Sequence, residues 1–94
     1  MNELDEQRHR DICAIALEVY RERDSIRQGL WKKYEAKDQL LQAKVKIERC
    51  LHALEEDVNT PEEVTREGPD IINYTIFAMR LVGEELRIRN GETV

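Results

Sequence analysis

The sequence predicts an all-α protein, an antiparallel helical bundle of two long helices and a third broken near Gly68-Pro69. Apolar residues recur at helical spacing through most of the 94 positions, and no alternating strand pattern competes. Leu, Ile, Val and Ala outnumber the aromatics, with only four glycines and two prolines, which is a helical composition. In the run from Asp70 to Val82, the residues Ile71, Ile72, Ile76, Ala78, Met79, Leu81 and Val82 are too widely spread for one stripe. That run reads as the central helix, packed on more than one side.

The first helix spans residues 3–28, where Ile12, Ile15, Ala16, Val19 and Ile26 share a face, and Gly29 can end it in a left-handed turn. Asn2 to Arg10 are nearly all polar, so residues 1–10 are expected to fray or to extend past the core. Residues 30–37 fit neither period and read as an irregular connection with a helical turn. Trp31 within it is either a packing anchor or a stacking platform for a base.

Asp38 then caps an amphipathic helix over residues 39–57, with Leu40, Ala43, Ile47, Leu51, Leu54 and Val58 on one stripe. Its other side carries Lys44, Lys46, Glu48, Arg49, His52, Glu55 and Glu56. Thr60-Pro-Glu-Glu63 is a capping box with proline at the first helical position, so a new helix starts there. Gly68-Pro69 favours a break, with a short helix at 61–67 and a restart at Pro69, over one kinked helix. The last helix runs to Arg89, Asn90-Gly91 ends it, and 90–94 form a tail.

A chain of 94 residues has room for a single domain and no second core. Its surface-to-volume ratio is unfavourable, so association into a homo-oligomer would help it. The net charge of -5 argues against general nucleic-acid binding, which needs a cationic surface. The acids are concentrated: seven of them lie between Glu55 and Asp70, against the single base Arg66. Such a patch is either a solvated connection with helix-start carboxylates or a cation site. Cys13 and Cys50 lack metal-ligand spacing and read as buried free thiols of a reducing compartment rather than a disulfide. No apolar run is long enough for a signal peptide or a membrane span, so a cytoplasmic, soluble protein is expected.

Glu67 and Asp70, three apart at the mouth of the apolar helix, share one face. They are either helix-start acids favoured by the dipole or ligands of a hard cation, which takes oxygen donors. An antiparallel partner helix is expected to bring His52, Glu55 and Glu56, with Glu48 a turn away, across from Glu67, Asp70 and Asn73. His52 is equally a surface histidine or a ligand. Asn73 and Tyr74 interrupt an apolar segment, and a buried Asn73 is either satisfied within the bundle or presented to a ligand. Lys44, Lys46, Arg49 and Arg80 are either solvated charges or contacts for phosphate oxygens. There is no nucleophile constellation and no glycine-rich phosphate loop, which sets aside covalent and P-loop chemistry.

The run Trp31, then Asp38-Gln-Leu-Leu-Gln-Ala-Lys-Val-Lys-Ile-Glu-Arg49, followed by Glu67-Gly-Pro-Asp-Ile-Ile-Asn-Tyr74, resembles the MazG-like all-α nucleoside triphosphate pyrophosphohydrolases. It looks most like their short, often phage-encoded branch, and the likeness covers about residues 30–85. The resemblance implies a bundle that dimerises, with Mg²⁺ or Mn²⁺ held by Glu67, Asp70, Glu55 and Glu56. It implies catalysis by Glu67, Asp70 and Glu55, with Asn73, Lys44, Lys46 and Trp31 on the nucleoside triphosphate, which would be split into monophosphate and pyrophosphate. Glu67 and Asp70 match the family's Glu-x-x-Asp. The earlier helix departs from Glu-Glu-x-x-Glu, offering His52-x-x-Glu55 with Glu56. Two functions are therefore expected: a pyrophosphohydrolase or nucleotide-binding relative, or a non-enzymatic helical interaction protein of phage type, using its acidic patch and a dimer surface on residues 71–82.

Overall fold

The computed structural model describes residues 2–56 and 60–91, the side chains of Thr60 and Pro61 excepted. Three α-helices, α1 (Glu3–Arg27), α2 (Ala36–Glu56) and α3 (Thr60–Arg89), with a 3-10 turn at Leu30–Lys33, make up the described fold, and it contains no strand. The expected all-α bundle is what forms, with α3 central: α2, α1 and the 3-10 turn all pack on it.

Local chemistry explains the boundaries. The Asn2 side chain accepts the Asp5 N–H at 2.9 Å, so α1 is capped at its polar beginning. It ends where Gln28 and Gly29 both turn left-handed (φ 47° and 74°), with the Gly29 N–H donating to the Asp24 carboxylate at 2.7 Å. The connection expected at 30–37 is shorter, because α2 starts at Ala36 rather than after Asp38. Asp38 lies in the first turn and its carboxylate accepts the Glu35 N–H at 3.0 Å, the backward half of a capping box. The expected Thr60 cap rests on a side chain outside the described residues.

Two expectations are corrected. The third helix is not broken: Gly68 and Pro69 lie inside one continuous α3. Pro69 removes one N–H, but the flanking Glu67 and Asp70 are held by cations from α1 and α2, and this fixes the chain on both sides of the proline. Of the stripe expected on α2, Ala43 alone is buried, and Val58 lies outside the described residues. α2 seats on α3 through Ala43, Cys50 and Ala53, with Gln39 and the half-buried Lys46 on the same side, while Leu40, Ile47, Leu51 and Leu54 stay exposed. Small side chains let the two helices approach, and the register is set by polar pairs.

The buried apolar residues are Ala16, Ala43, Cys50, Ala53 and Ala78, and no large side chain is completely buried among the described residues. Both cysteines are free thiols, but Cys13, expected to be buried, is exposed on α1. The radius of gyration is 15.7 Å, against about 12 Å for a compact chain of this length.

Candidate functional site

Only residues 57–59 separate α2 from α3, so the end of α2 lies beside the start of α3 in an antiparallel pair. The Cys50 thiol reaches the Glu63 carbonyl at 4.0 Å, and one turn earlier Lys46 meets Glu67. Lys46 Nζ lies 2.7 Å from Glu67 Oε2 and 3.2 Å from Asp70 Oδ2, so one ammonium bridges both carboxylates. Arg23, from α1, pairs with the other oxygen of Asp70. Arg49 and Arg66 stand 3.6 and 3.7 Å from Glu67 Oε1. Glu67 and Asp70 are 5% and 6% exposed, and carboxylates so deeply buried persist only when paired.

The hydrogen bond from Lys46 holds the Glu67 carboxyl below its ordinary pKa; burial opposes this, and the charges of Lys46, Arg49 and Arg66 reinforce it. Burial works against the charge on Lys46, but hydrogen bonds to Glu67 and Asp70 outweigh it and raise its pKa. The Cys50 thiol is pushed up by burial and then by Glu63 and Glu67, so it stays a neutral thiol.

This donor set does not fit the divalent metal that the resemblance implies. The two carboxylates are bonded to a lysine ammonium and a guanidinium, which already supply the positive charge. Contrary to the expectation from the sequence, Glu55 and Glu56 do not face them. Both are exposed, nine and ten positions beyond Lys46, roughly 13 Å farther along the helix axis. Among the described residues no group of three His, Cys, Asp or Glu side chains could hold a metal ion. The short separation of α2 from α3 in sequence is the physical reason: it pairs the end of α2 with the beginning of α3, and leaves the middle of α2, which is basic, to meet Glu67.

Beside this network lies a cavity of about 390 Å³, formed by the C-terminal half of α1, the 3-10 turn, the first turns of α2 and the middle of α3. Tyr20, Trp31, Tyr34, Tyr74 and Phe77 give it aromatic walls, Gln39, Gln42 and Asn73 give it amides, Arg23 and Arg27 give it guanidinium groups, and Asp24 and Asp38 give it carboxylates. Asp70 belongs both to the cavity and to the ion network.

Three aromatic contacts hold the walls. Phe77 stacks on Trp31 (centroids 4.5 Å apart, 9° between planes) and meets Tyr20 and Tyr74 edge-on at 5.8 and 6.3 Å. The Arg80 guanidinium lies 4.7 Å from the Trp31 ring centroid. Gln39 donates its amide to the Trp31 carbonyl at 3.1 Å and Asn73 donates to the Ala16 carbonyl at 2.9 Å, tying the 3-10 turn to α2 and α3 to α1. The Trp31 indole N–H is buried with no hydrogen-bond partner, the one such side-chain atom among the described residues. An orphaned donor of this kind costs about 1–3 kcal/mol until an acceptor reaches it.

The structure thus brings Trp31, Asn73 and Asp70 to one cavity and joins Lys46 and Glu67 to its edge through Asp70. Trp31 is a packing anchor on its Phe77 face, and Asn73 both lines the cavity and satisfies its amide inside the bundle. Lys44 is remote from it, exposed and paired with Glu48 at 4.0 Å. Sequence reasoning missed α1's contribution. Tyr20, Arg23 and Arg27 lie at i, i+3 and i+7, which is one helical face, and that spacing was the signal available. Compared with family models, curated proteins and solved structures, the chain matches none.

Proposed function

We propose that this chain binds a nucleotide in the cavity between α1, the 3-10 turn and α3. The cavity itself carries the reading: 390 Å³ with aromatic walls and a few amides suits a base, and Arg27 is left for a phosphate, since Arg23 pairs with Asp70 and the carboxylates of Asp24 and Asp38 share the lining. Aromatic rings suit a base face, the amides of Gln42 and Asn73 suit its polar edge, and Arg27 suits a phosphate through paired N–H groups. The buried indole N–H of Trp31 offers a donor in want of an acceptor. The MazG-like resemblance supports the same ligand class. Binding alone is proposed: Glu67 and Asp70, the donors that metal-assisted hydrolysis would draw on, are both bonded to Lys46.

Trp31 is the only tryptophan, so its emission reports on the cavity directly. Titration with nucleoside triphosphates, the matching nucleosides and inorganic pyrophosphate, in the presence of a chelator, should give a saturable emission change with the nucleotides. Tyr74→Ala or Arg27→Ala should weaken it about tenfold or more. Emission that stays flat across the panel, with no heat in calorimetry, would sink the proposal.

A further inference from the structure

Helix α2 carries two faces about 100° apart on its circumference. One, through Ala43, Lys46, Cys50 and Ala53, lies on α3; the other, Leu40, Ile47, Leu51 and Leu54, is left exposed. Leu40, Leu51 and Leu54 are each about half exposed, at 51%, 51% and 53%. A helix seated by alanines that leaves its large aliphatic side chains in water has not buried the surface that would stabilise it.

The missing burial can be sized. The chain exposes 7595 Å², against about 5,700 Å² for a compact monomer of its mass, an excess of roughly 1,900 Å². A stable interface removes about 800 Å² from each partner, so the excess is ample for one.

Charge indicates what covers the stripe. Along its flank run Lys37, Lys44, Glu48 and Glu55, at i, i+7, i+11 and i+18, so the basic residues precede the acidic ones on one line of the helix. A second α2 laid antiparallel, with Leu40 opposite Leu54, sets Lys37 beside Glu55 and Lys44 beside Glu48 of the second copy. In a parallel copy this flank would lie on the far side of the seam from its counterpart, and the charges would go unpaired. The stripe and its flank are therefore self-complementary under a two-fold axis.

We propose that two copies of this chain dimerise through an antiparallel α2–α2 seam made of Leu40, Ile47, Leu51 and Leu54, flanked by Lys37 and Lys44 against Glu48 and Glu55. The seam is independent of the nucleotide reading, and it lies on α2 rather than on the 71–82 surface of α3.

Sedimentation equilibrium on the intact chain should give twice the mass of one chain at micromolar concentration. The double variant Ile47→Glu with Leu51→Glu should raise the dimer dissociation constant on the order of 100-fold or more. Ile26→Glu, on α1 and 83% exposed, should leave it within about threefold. A monomeric parent chain, a double variant that stays dimeric, or equal dissociation by Ile26→Glu would each overturn the proposal. Should the double variant fail to fold, isotope-filtered NOEs on a mixed-label sample of the parent chain decide the matter. Methyl contacts between Leu40 of one copy and Leu54 of the other support the seam, and their absence overturns it.

Discussion

The Lys46 ammonium and the Glu67 carboxylate meet at 2.7 Å between α2 and α3, and Asp70 completes the contact at 3.2 Å. All three side chains are largely buried, at 16%, 7% and 7% exposure, so solvent screens them little. Charges in such a place fix helix register, because any slip strands one of them.

Replacing Lys46 with Met leaves two buried carboxylates to Arg23, Arg49 and Arg66 alone. Removing one partner of a buried pair costs about 3–5 kcal/mol, and the remaining arginines put the expected loss near the lower end. A urea melt reads it directly, and a loss below about 1 kcal/mol would show that the bridge does not hold α2 on α3.

Acid should destabilise the fold through Glu67. Its native pKa lies below the ordinary 4.5, so its contribution is complete above that value and is lost as pH falls through the lowered one. Lys46, raised above 10.5, contributes fully below that value and loses its contribution as pH rises through the raised one. Thermal melts should therefore hold a plateau between these limits, and Glu67→Gln should flatten the acid limb. An acid limb unchanged in that variant would assign the effect to other carboxylates.

Divalent cations supply a third check. Mg²⁺ or Mn²⁺ at millimolar concentration should leave the melting temperature of the parent chain unchanged, because Lys46 already occupies both carboxylates. In Lys46→Ala the pair is open on that side, and a metal-dependent rise is expected. A rise in the parent chain would show that metal displaces the lysine, and would restore the hydrolytic reading.

Pro69 interrupts the hydrogen-bond ladder of a helix that continues through it, leaving the Thr65 carbonyl without its usual donor. Pro69→Ala should stabilise the protein by about 1–3 kcal/mol in denaturant melts. A destabilised variant would mean that the proline sets a bend on which the packing of α3 depends.

The helices were legible because their periods, the Asn90-Gly91 stop and the Gly29 turn are local signals. Two features were not. Continuity through Gly68-Pro69 depends on Lys46 and Arg23, which lie far away in sequence and grip the residues on either side. The choice of buried face on α2 is equally non-local: periodicity selects Leu40, Ile47, Leu51 and Leu54, whereas the meeting of Lys46 with Glu67 turns Ala43 and Cys50 inward. Of the site, Asn73, Trp31 and the Glu67–Asp70 pair were found from residue type and spacing. The role of Lys46 as partner to the acids required the register between α2 and α3, and that of Arg23 required the docking of α1 on α3, at which its spacing with Tyr20 and Arg27 only hinted.

Helix α1 has Ala16 as its one buried residue and is fastened to α3 through the Asn73 amide, Tyr20 and Arg23, whereas α2 and α3 are an antiparallel pair only three residues apart in sequence. The free energy needed to lift α1 off is therefore small beside that of separating that pair. Tyr20, Arg23, Asp24 and Arg27 would leave with it, which opens one whole wall of the cavity. In amide exchange α1 should lose protection first and alone, and a ligand seated among those side chains would slow that opening, so the rate at which α1 detaches is itself a meter of occupancy.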